Sequence, residues 1–488
     1  MVLDMEHVLK SGAAHIVKYI FVCLLLLQQF TPLASVAAEQ SASTLTDIVS
    51  SQTPSLEKEV ASKEDDIREL DRQIILELVE LDRFNIRYRL EINHTAGWRK
   101  VLYPLAQTGN AAGLGGNTIV GLRQNVRGWN QPQLISDTAL RKGFASAMVG
   151  TILGGASSSV ELVADGMQTL HDRKMGFSPK RALAFEKQKV NHINQLLAAR
   201  DNLMTDARLT GNRRELVELK GEMCRYIKDR LVSEFEQWYI HAREYSCYRN
   251  TFYSLNVITN ATRFAAVQIA FKGLNSSRYN GALGPTLIAS GFIASVTPAL
   301  SSATGLLMRK CQTKRLAGQF RNAEALSNED MEQHYQRLSR LLTSTGELDD
   351  RNKQLLSELA ILRKDTIGID ETIHRESDKI GELRRVAAQH AIAGPIVGSL
   401  SLTSGTLNTI AYYGYRQQPK ISNRILLSGG VSTLSGEALA LYITPKSAIS
   451  GFLYEHDLRR RGQHPDQLLA KRLSDLNDLE ATIKSNSQ

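Results

Sequence analysis

Three long segments without charged side chains constrain the fold of this chain more than any other feature. They are 22, 30 and 30 residues long and contain no Asp, Glu, Lys or Arg: Val101–Leu122, Tyr279–Met308 and Val386–Tyr415. About 20 consecutive, mostly apolar residues in an α-helix can span the hydrocarbon core of a bilayer. A soluble amphipathic helix would lack charges on one face only. The segments therefore favour helices that are embedded in a membrane.

Charged, helix-favouring segments alternate with these apolar segments along the chain. The charged segments are 55–97, 178–250 and 311–386, and the apolar hairpins follow at about 101–165, 252–308 and 387–448. In the first charged segment, Ile67, Ile74 and Leu78 belong to one apolar stripe at helical spacing. The spacing is too irregular for strict heptads, so it predicts helical arms that pack antiparallel rather than one long coiled coil.

A local similarity between the three hairpins indicates an internal repeat. The stretches KGFASAMVG, SGFIASVTP and SGGVSTLSG align, so that Gly143, Gly291 and Gly429 share one position and Gly150 and Gly436 share another. Small residues allow helices to approach closely, and these five glycines are the predicted helix-packing positions. The predicted fold is all-α, with three repeated units of an amphipathic arm and a Gly/Ser/Ala-rich helical hairpin.

The alternation also predicts the domain boundaries. The uncharged run Tyr19–Leu27 and the small residues before Glu39 are typical of a cleaved signal peptide. The predicted parts of the chain are a signal peptide 1–38, a linker 39–54, repeat units 55–210, 211–345 and 346–454, and a charged helical tail 455–488. A signal peptide predicts export, which places the arms on the non-cytoplasmic side of a membrane.

Two ionisable residues interrupt the apolar hairpins. Arg263 lies in the first helix of the second hairpin, and Glu437 lies midway along the last hairpin helix. A charge at the bilayer centre costs roughly 2.5–3.5 kcal/mol on insertion scales, and such residues often have a functional role. Arg263 and Glu437 could pair inside the bundle or line a polar path. Alternatively, each shortens its span, or the helices form a soluble bundle rich in Gly and Ala.

The loops within the hairpins are basic. Their Lys and Arg residues are Arg123, Arg127, Arg141, Lys142, Lys272, Arg278, Arg416, Lys420 and Arg424. The positive-inside rule places such short turns in the cytoplasm, which agrees with arms outside. Without the signal peptide, Cys224, Cys247 and Cys311 remain, an odd number that leaves at least one thiol free or paired between chains.

No motif for catalysis, cofactor binding or metal binding is present in the sequence. The chain has no GxxxxGK[ST], HExxH, CxxC or GxSxG pattern. The net charge is +9, but the basic residues are not clustered with aromatic residues on one face, so nucleic-acid binding is not expected.

These observations leave three functional hypotheses. The first is a non-enzymatic exported membrane protein that scaffolds or tethers at a cell envelope, with the bilayer as its partner and its arms free for a protein partner or self-association. The second is a channel or transporter built from the same hairpins. The third is a soluble secreted helical protein that binds a partner.

Overall fold

The described part of the chain consists of α-helices joined by short turns. The computed structural model describes residues 56–92, 97–129, 131–207, 211–276, 279–318, 320, 328–344 and 392–485, and these residues form no strand. The all-α prediction is therefore confirmed. The signal peptide, the linker and most of the third arm lie outside the described residues.

Ten helices are described. They are α1 (Leu56–Ile92), α2 (Gly97–Arg127), α3 (Asp137–Lys174), α4 (Pro179–Asp206), α5 (Gly211–Gly273), α6 (Asn280–Ala317), α7 (Asn328–Ser344), α8 (392–415), α9 (Pro419–Arg460) and α10 (Pro465–Ser485). Three of them, α4, α9 and α10, begin with a proline, whose fixed φ suits the first helical turn. Gly462, with a φ of +68°, reverses the chain between α9 and α10.

The amphipathic arms pack against one another in one bundle. We call α1, α4, residues 211–250 of α5, and α10 the arm bundle, and its core is made of buried aliphatic side chains. Ile67, Ile74 and Leu78 of the predicted first stripe are at most 2% exposed. The apolar stripes of these arms are therefore used within the protein, which leaves mainly polar and charged side chains on the outer faces.

Six helices of the three hairpins form a closed ring. Helix contacts run from α2 to α3, from α3 to α5, from α5 to α6, and from α9 back to α2. Gly284 and Gly291 of α6 lie against α8, and so do Gly429 and Gly436 of α9, which completes the ring. We call α2, α3, residues 252–273 of α5, α6, α8 and α9 the helical ring.

The helical ring buries small and polar side chains and exposes apolar ones, which is the reverse of the arm bundle. On α3 the buried positions are mostly small or polar, namely Gly143, Ala147, Gly150, Thr151, Gly154, Ser157, Ser158, Glu161 and Asp165. The outward positions are apolar, and Val149, Ile152 and Val163 are 59%, 55% and 62% exposed. A water-soluble helix places its apolar side chains inward instead. The outer surface of the ring is therefore suited to an apolar surrounding.

Three helical stretches are long and apolar enough to cross a membrane. Windows of 18 residues within Asp137–Asp206, Asn280–Ala317 and Pro419–Ser485 have mean hydropathies of 1.3, 1.4 and 1.2, and only 39%, 33% and 17% of each window is buried. Each stretch contains the second helix of a hairpin. Among the described residues, the first helices of the hairpins do not reach the same hydropathy. They carry buried polar side chains, among them Asn110, Asn260 and Ser404.

Candidate functional site in the helical ring

Arg263 and Glu437 lie on helices that are not neighbours in the ring. Glu437 of α9 is 3% exposed, and its Cβ lies beside Gly115 of α2. Arg263 of α5 is half-buried. Among the described residues, the two groups form no ion pair within 4 Å, so direct pairing is not observed.

A line of polar side chains leads from Arg263 toward the arm bundle. The Asn110 side-chain amide of α2 donates a 2.9 Å hydrogen bond to Asn260 Oδ1 of α5. One helical turn closer to the arm bundle on α5, Asn256 Nδ2 donates a hydrogen bond to Tyr103 Oη at 3.1 Å. We call Tyr103, Asn110, Asn256 and Asn260 the polar seam. Amide hydrogen bonds between helices satisfy groups that would be costly to bury alone.

Four charged residues lie where the polar seam meets the arm bundle. Arg99 donates to Glu161 Oε2 and to Asp165 Oδ1, both at 2.6 Å, and Arg249 donates to Asp165 Oδ1 at 2.5 Å. Arg99, Glu161 and Asp165 are each at most 8% exposed. We call these four residues the boundary cluster. Two guanidinium groups balance two carboxylates, so the cluster is electrically neutral.

The seam and the boundary cluster together cross a large part of the ring. Arg249 and Arg263 are fourteen positions apart on α5, which corresponds to about 21 Å along a helix. A bilayer core is roughly 30 Å thick. Polar groups therefore follow one another through much of the depth that a membrane would occupy.

The predicted packing glycines differ in their surroundings. A Cβ atom on Gly143 or Gly150 would lie 2.9 or 2.8 Å from atoms of α2, and one on Gly291 would lie 2.5 Å from the backbone nitrogen of Leu402. Gly429 and Gly436 have their nearest such neighbours at 3.4 and 3.6 Å. Thus three of the five positions are tightly packed and two have room for a methyl group.

The aligned glycines do not make equivalent contacts. Gly143 and Gly429 lie against the first helix of their own hairpin, whereas Gly291 lies against α8, the first helix of the next hairpin. The internal repeat therefore stays a prediction from the sequence.

No family model, curated protein or solved structure matches this chain. Among the described residues, no group of three His, Cys, Asp or Glu side chains is placed to hold a metal ion.

The three thiols differ in exposure. Cys224 is buried, Cys247 is half-buried and Cys311 is exposed, and all three are free. Burial raises the pKa of the Cys224 thiol to about 12, which leaves it protonated and a poor nucleophile at neutral pH.

The arm bundle contains a second set of buried charges. Arg200 of α4 is 1% exposed, and its Nε donates to Asp71 Oδ1 at 2.5 Å. Lys220 Nζ lies 3.0 Å from the other oxygen of Asp71. A Cβ on Gly221 would lie 2.5 Å from the Arg200 guanidinium, so this glycine makes room for Arg200.

Glu186 is fully buried near the second ionic group of the bundle. Arg89 pairs with Glu234, and Arg472 pairs with both Asp82 and Glu234. These two guanidinium groups balance two carboxylates, so an ionised Glu186 would add an uncompensated charge. Burial raises the pKa of Glu186 well above 4.5, and the nearby carboxylates raise it further.

The raised pKa of Glu186 predicts a pH dependence of stability. Its folded-state pKa exceeds its unfolded value, so its contribution is fully present below the unfolded pKa and is lost as pH rises through the folded pKa. In that window the free energy of unfolding should fall by about 1.4 kcal/mol per pH unit. Glu186→Gln should remove this fall and make the protein more stable than wild type at alkaline pH. Chemical denaturation of both proteins at several pH values measures this pH dependence of the free energy of unfolding.

The exposed Glu69→Gln serves as the control for this prediction. It should leave the pH profile of stability unchanged. A Glu186→Gln profile that runs parallel to that of the wild type would show that Glu186 does not hold its proton in the folded protein.

The boundary cluster, the polar seam and the buried charges of the arm bundle were not predicted from the sequence. One available signal is helical spacing. Glu186 and Arg200 share the buried stripe of α4 with Ala182, Ile193 and Leu197. Charged residues on an otherwise apolar stripe predict buried ion pairs. A second signal is the pair of asparagines, Asn110 and Asn260, within segments that lack charge.

Proposed function

We propose that this chain is a non-enzymatic membrane protein in which the helical ring anchors the arm bundle at a bilayer surface, as a scaffold or tether at a cell envelope. The observation that carries the proposal is the reversed polarity of the ring. Ile152, Phe292 and Val431 come from three different hairpins and are 55%, 58% and 53% exposed. Such an apolar surface would be costly in water and favourable in hydrocarbon.

The length of the hairpin helices agrees with an anchor that carries a bundle. Helix α3 has 38 residues and would extend about 57 Å, roughly twice the thickness of a bilayer core. One part of α3 can therefore lie in the membrane while its end reaches the arm bundle. The outer faces of the bundle remain available to a protein partner or to a second copy of the chain.

Alkaline carbonate extraction of membranes tests this proposal. The full-length chain should stay in the pellet, and Ile152→Asp should lower the yield of folded membrane protein because a central charge costs roughly 2.5–3.5 kcal/mol. Met175→Asp is the matched control, since Met175 follows α3 and is 57% exposed. Two results together would favour the soluble binding protein instead. They are release of the wild-type chain by carbonate and equal yields of the Ile152→Asp and Met175→Asp variants.

A second candidate function is the passage of an ion or small polar solute through the ring. The burial of Glu437 within the ring and the polar seam on the Arg263 helix favour it. Liposomes that contain the protein should then show ion flux that Glu437→Gln reduces. Glu455→Gln, on the same helix but paired with Lys100 outside the ring interior, should keep the flux. No flux above that of empty liposomes would exclude this candidate.

A further inference from the structure

The three turns of the helical ring lie at the end opposite the arm bundle and are strongly basic. Within the described residues 123–129, 131–142, 272–276, 279–280 and 416–424 there are eight Lys and Arg residues and one acidic residue, Asp137. Arg123, Arg127 and Lys420 are exposed. We call these described residues the turn face. Its net charge of about +7 cannot be neutralised by its own side chains, so it attracts anions from the surrounding medium.

Aromatic rings hold several of these cations in place. The guanidinium of Arg424 lies 5.0 Å from the centre of the Trp129 ring, which joins the third turn to the first. Other cation–ring pairs of the turn face are Arg141 with Phe271 at 5.3 Å, Lys272 with Tyr279 at 5.9 Å and Arg416 with Tyr412 at 5.3 Å. Each hairpin turn contributes at least one pair. Cations over aromatic rings at one end of apolar helices are typical of a membrane–water interface.

We propose that the turn face binds the phosphate groups of anionic phospholipids. This inference rests on the proposed embedding of the ring, which would bring the turn face to the level of the lipid headgroups. The apolar outer surface of α3 and α9 continues from the turns, with Ile421 and Val431 exposed. A lipid can therefore place its phosphate on the turn face and its acyl chains along the ring. A free phosphate would use only the first of these two contacts.

Fluorescence of Trp129 provides the test. The chain has three tryptophans, so Trp98→Phe and Trp238→Phe leave Trp129 alone as a reporter on the turn face. This protein is reconstituted into phosphatidylcholine vesicles with a fixed fraction of acyl-brominated phosphatidylglycerol or of acyl-brominated phosphatidylcholine. The anionic quencher should be more effective, and the preference should weaken with added salt.

Two charge variants test whether the turn face causes the preference. Each cation near an anionic surface contributes about 1 kcal/mol, or roughly a fivefold preference. Replacing Arg123, Arg127 and Lys420 by Gln should therefore remove most of the preference for the anionic lipid. Replacing Arg459, Arg460 and Lys471 by Gln is the matched control, because these exposed residues belong to the arm side of the protein. The control should keep the full preference.

The outcomes separate this inference from the proposed function. Equal quenching by the two brominated lipids would overturn anionic lipid binding while leaving the embedding intact. Absence of quenching by either lipid would contradict the embedding itself. Loss of the preference on addition of inorganic phosphate, but not of chloride at the same ionic strength, would identify a free-phosphate site and overturn the lipid assignment.

Discussion

Arg99→Met is expected to lower the free energy of unfolding by about 3–5 kcal/mol, because it leaves buried carboxylates without a partner. Arg99 donates to Glu161 and Asp165 at 2.6 Å, and all three side chains are at most 8% exposed. Arg249 would then be the one remaining cation of the boundary cluster, and it reaches Asp165 but not Glu161. Thermal or chemical unfolding in a fixed detergent measures the loss.

Two further variants make the Arg99 result specific. Lys100, the residue after Arg99, forms a more exposed ion pair with Glu455. Lys100→Met breaks this pair and should lower the free energy of unfolding by less than about 1 kcal/mol. Arg99→Met combined with Glu161→Gln should be more stable than Arg99→Met alone, because the orphaned charge is removed. Equal effects of Arg99→Met and Lys100→Met would show that the boundary cluster is not a buried ionic contact.

Gly291→Ala should destabilise the protein by about 1–3 kcal/mol, the usual penalty for overpacking. A Cβ at this position would lie 2.5 Å from the Leu402 nitrogen and 2.9 Å from the Gly398 carbonyl oxygen, so two backbones would have to separate. The change should therefore loosen α6 of the second hairpin from α8 of the third. The melting temperature in detergent measures the effect.

Gly166→Ala is the matched control for Gly291→Ala, and it should have the opposite sign. Gly166 lies within α3 and has no neighbouring atom within 4 Å of a built Cβ. Without a clash, Ala in place of Gly stabilises a helix by roughly 0.5–1 kcal/mol. If both substitutions raised the melting temperature, the close approach of α6 and α8 would be wrong.

The helices and hairpins follow from patterns that the sequence displays directly. The stripe through Ile67, Ile74 and Leu78 predicts a helix with one buried face, and that face is buried in the arm bundle. Loss of charge over whole segments predicts the ring helices, because an apolar outer surface and a small-residue interior both exclude charge. These signals are local along the chain, so a single sequence is sufficient to find them.

The partners of each helix depend on contacts between distant residues. Gly291 and Gly143 have similar sequence surroundings, yet Gly291 contacts the next hairpin and Gly143 contacts its own. Likewise, Asn110 and Asn260 are 150 positions apart, and no pattern in either segment predicts that their side chains form a hydrogen bond. Arg263 and Glu437 could be identified as unusual from the sequence, but the burial of Glu437 beside Gly115 of α2 could not.

The sidedness of two cysteines tests most directly whether the hairpins cross a membrane. Cys311 is exposed and follows the second hairpin toward the arms, and Gln417 is exposed in the turn between α8 and α9. A Gln417→Cys chain that also carries Cys23→Ser, Cys224→Ser and Cys247→Ser has one thiol at each end of the ring. In sealed vesicles, a membrane-impermeant maleimide should label Cys311 and the introduced thiol from opposite sides. Labelling of both thiols from the same side of an intact bilayer would contradict a ring that spans the membrane.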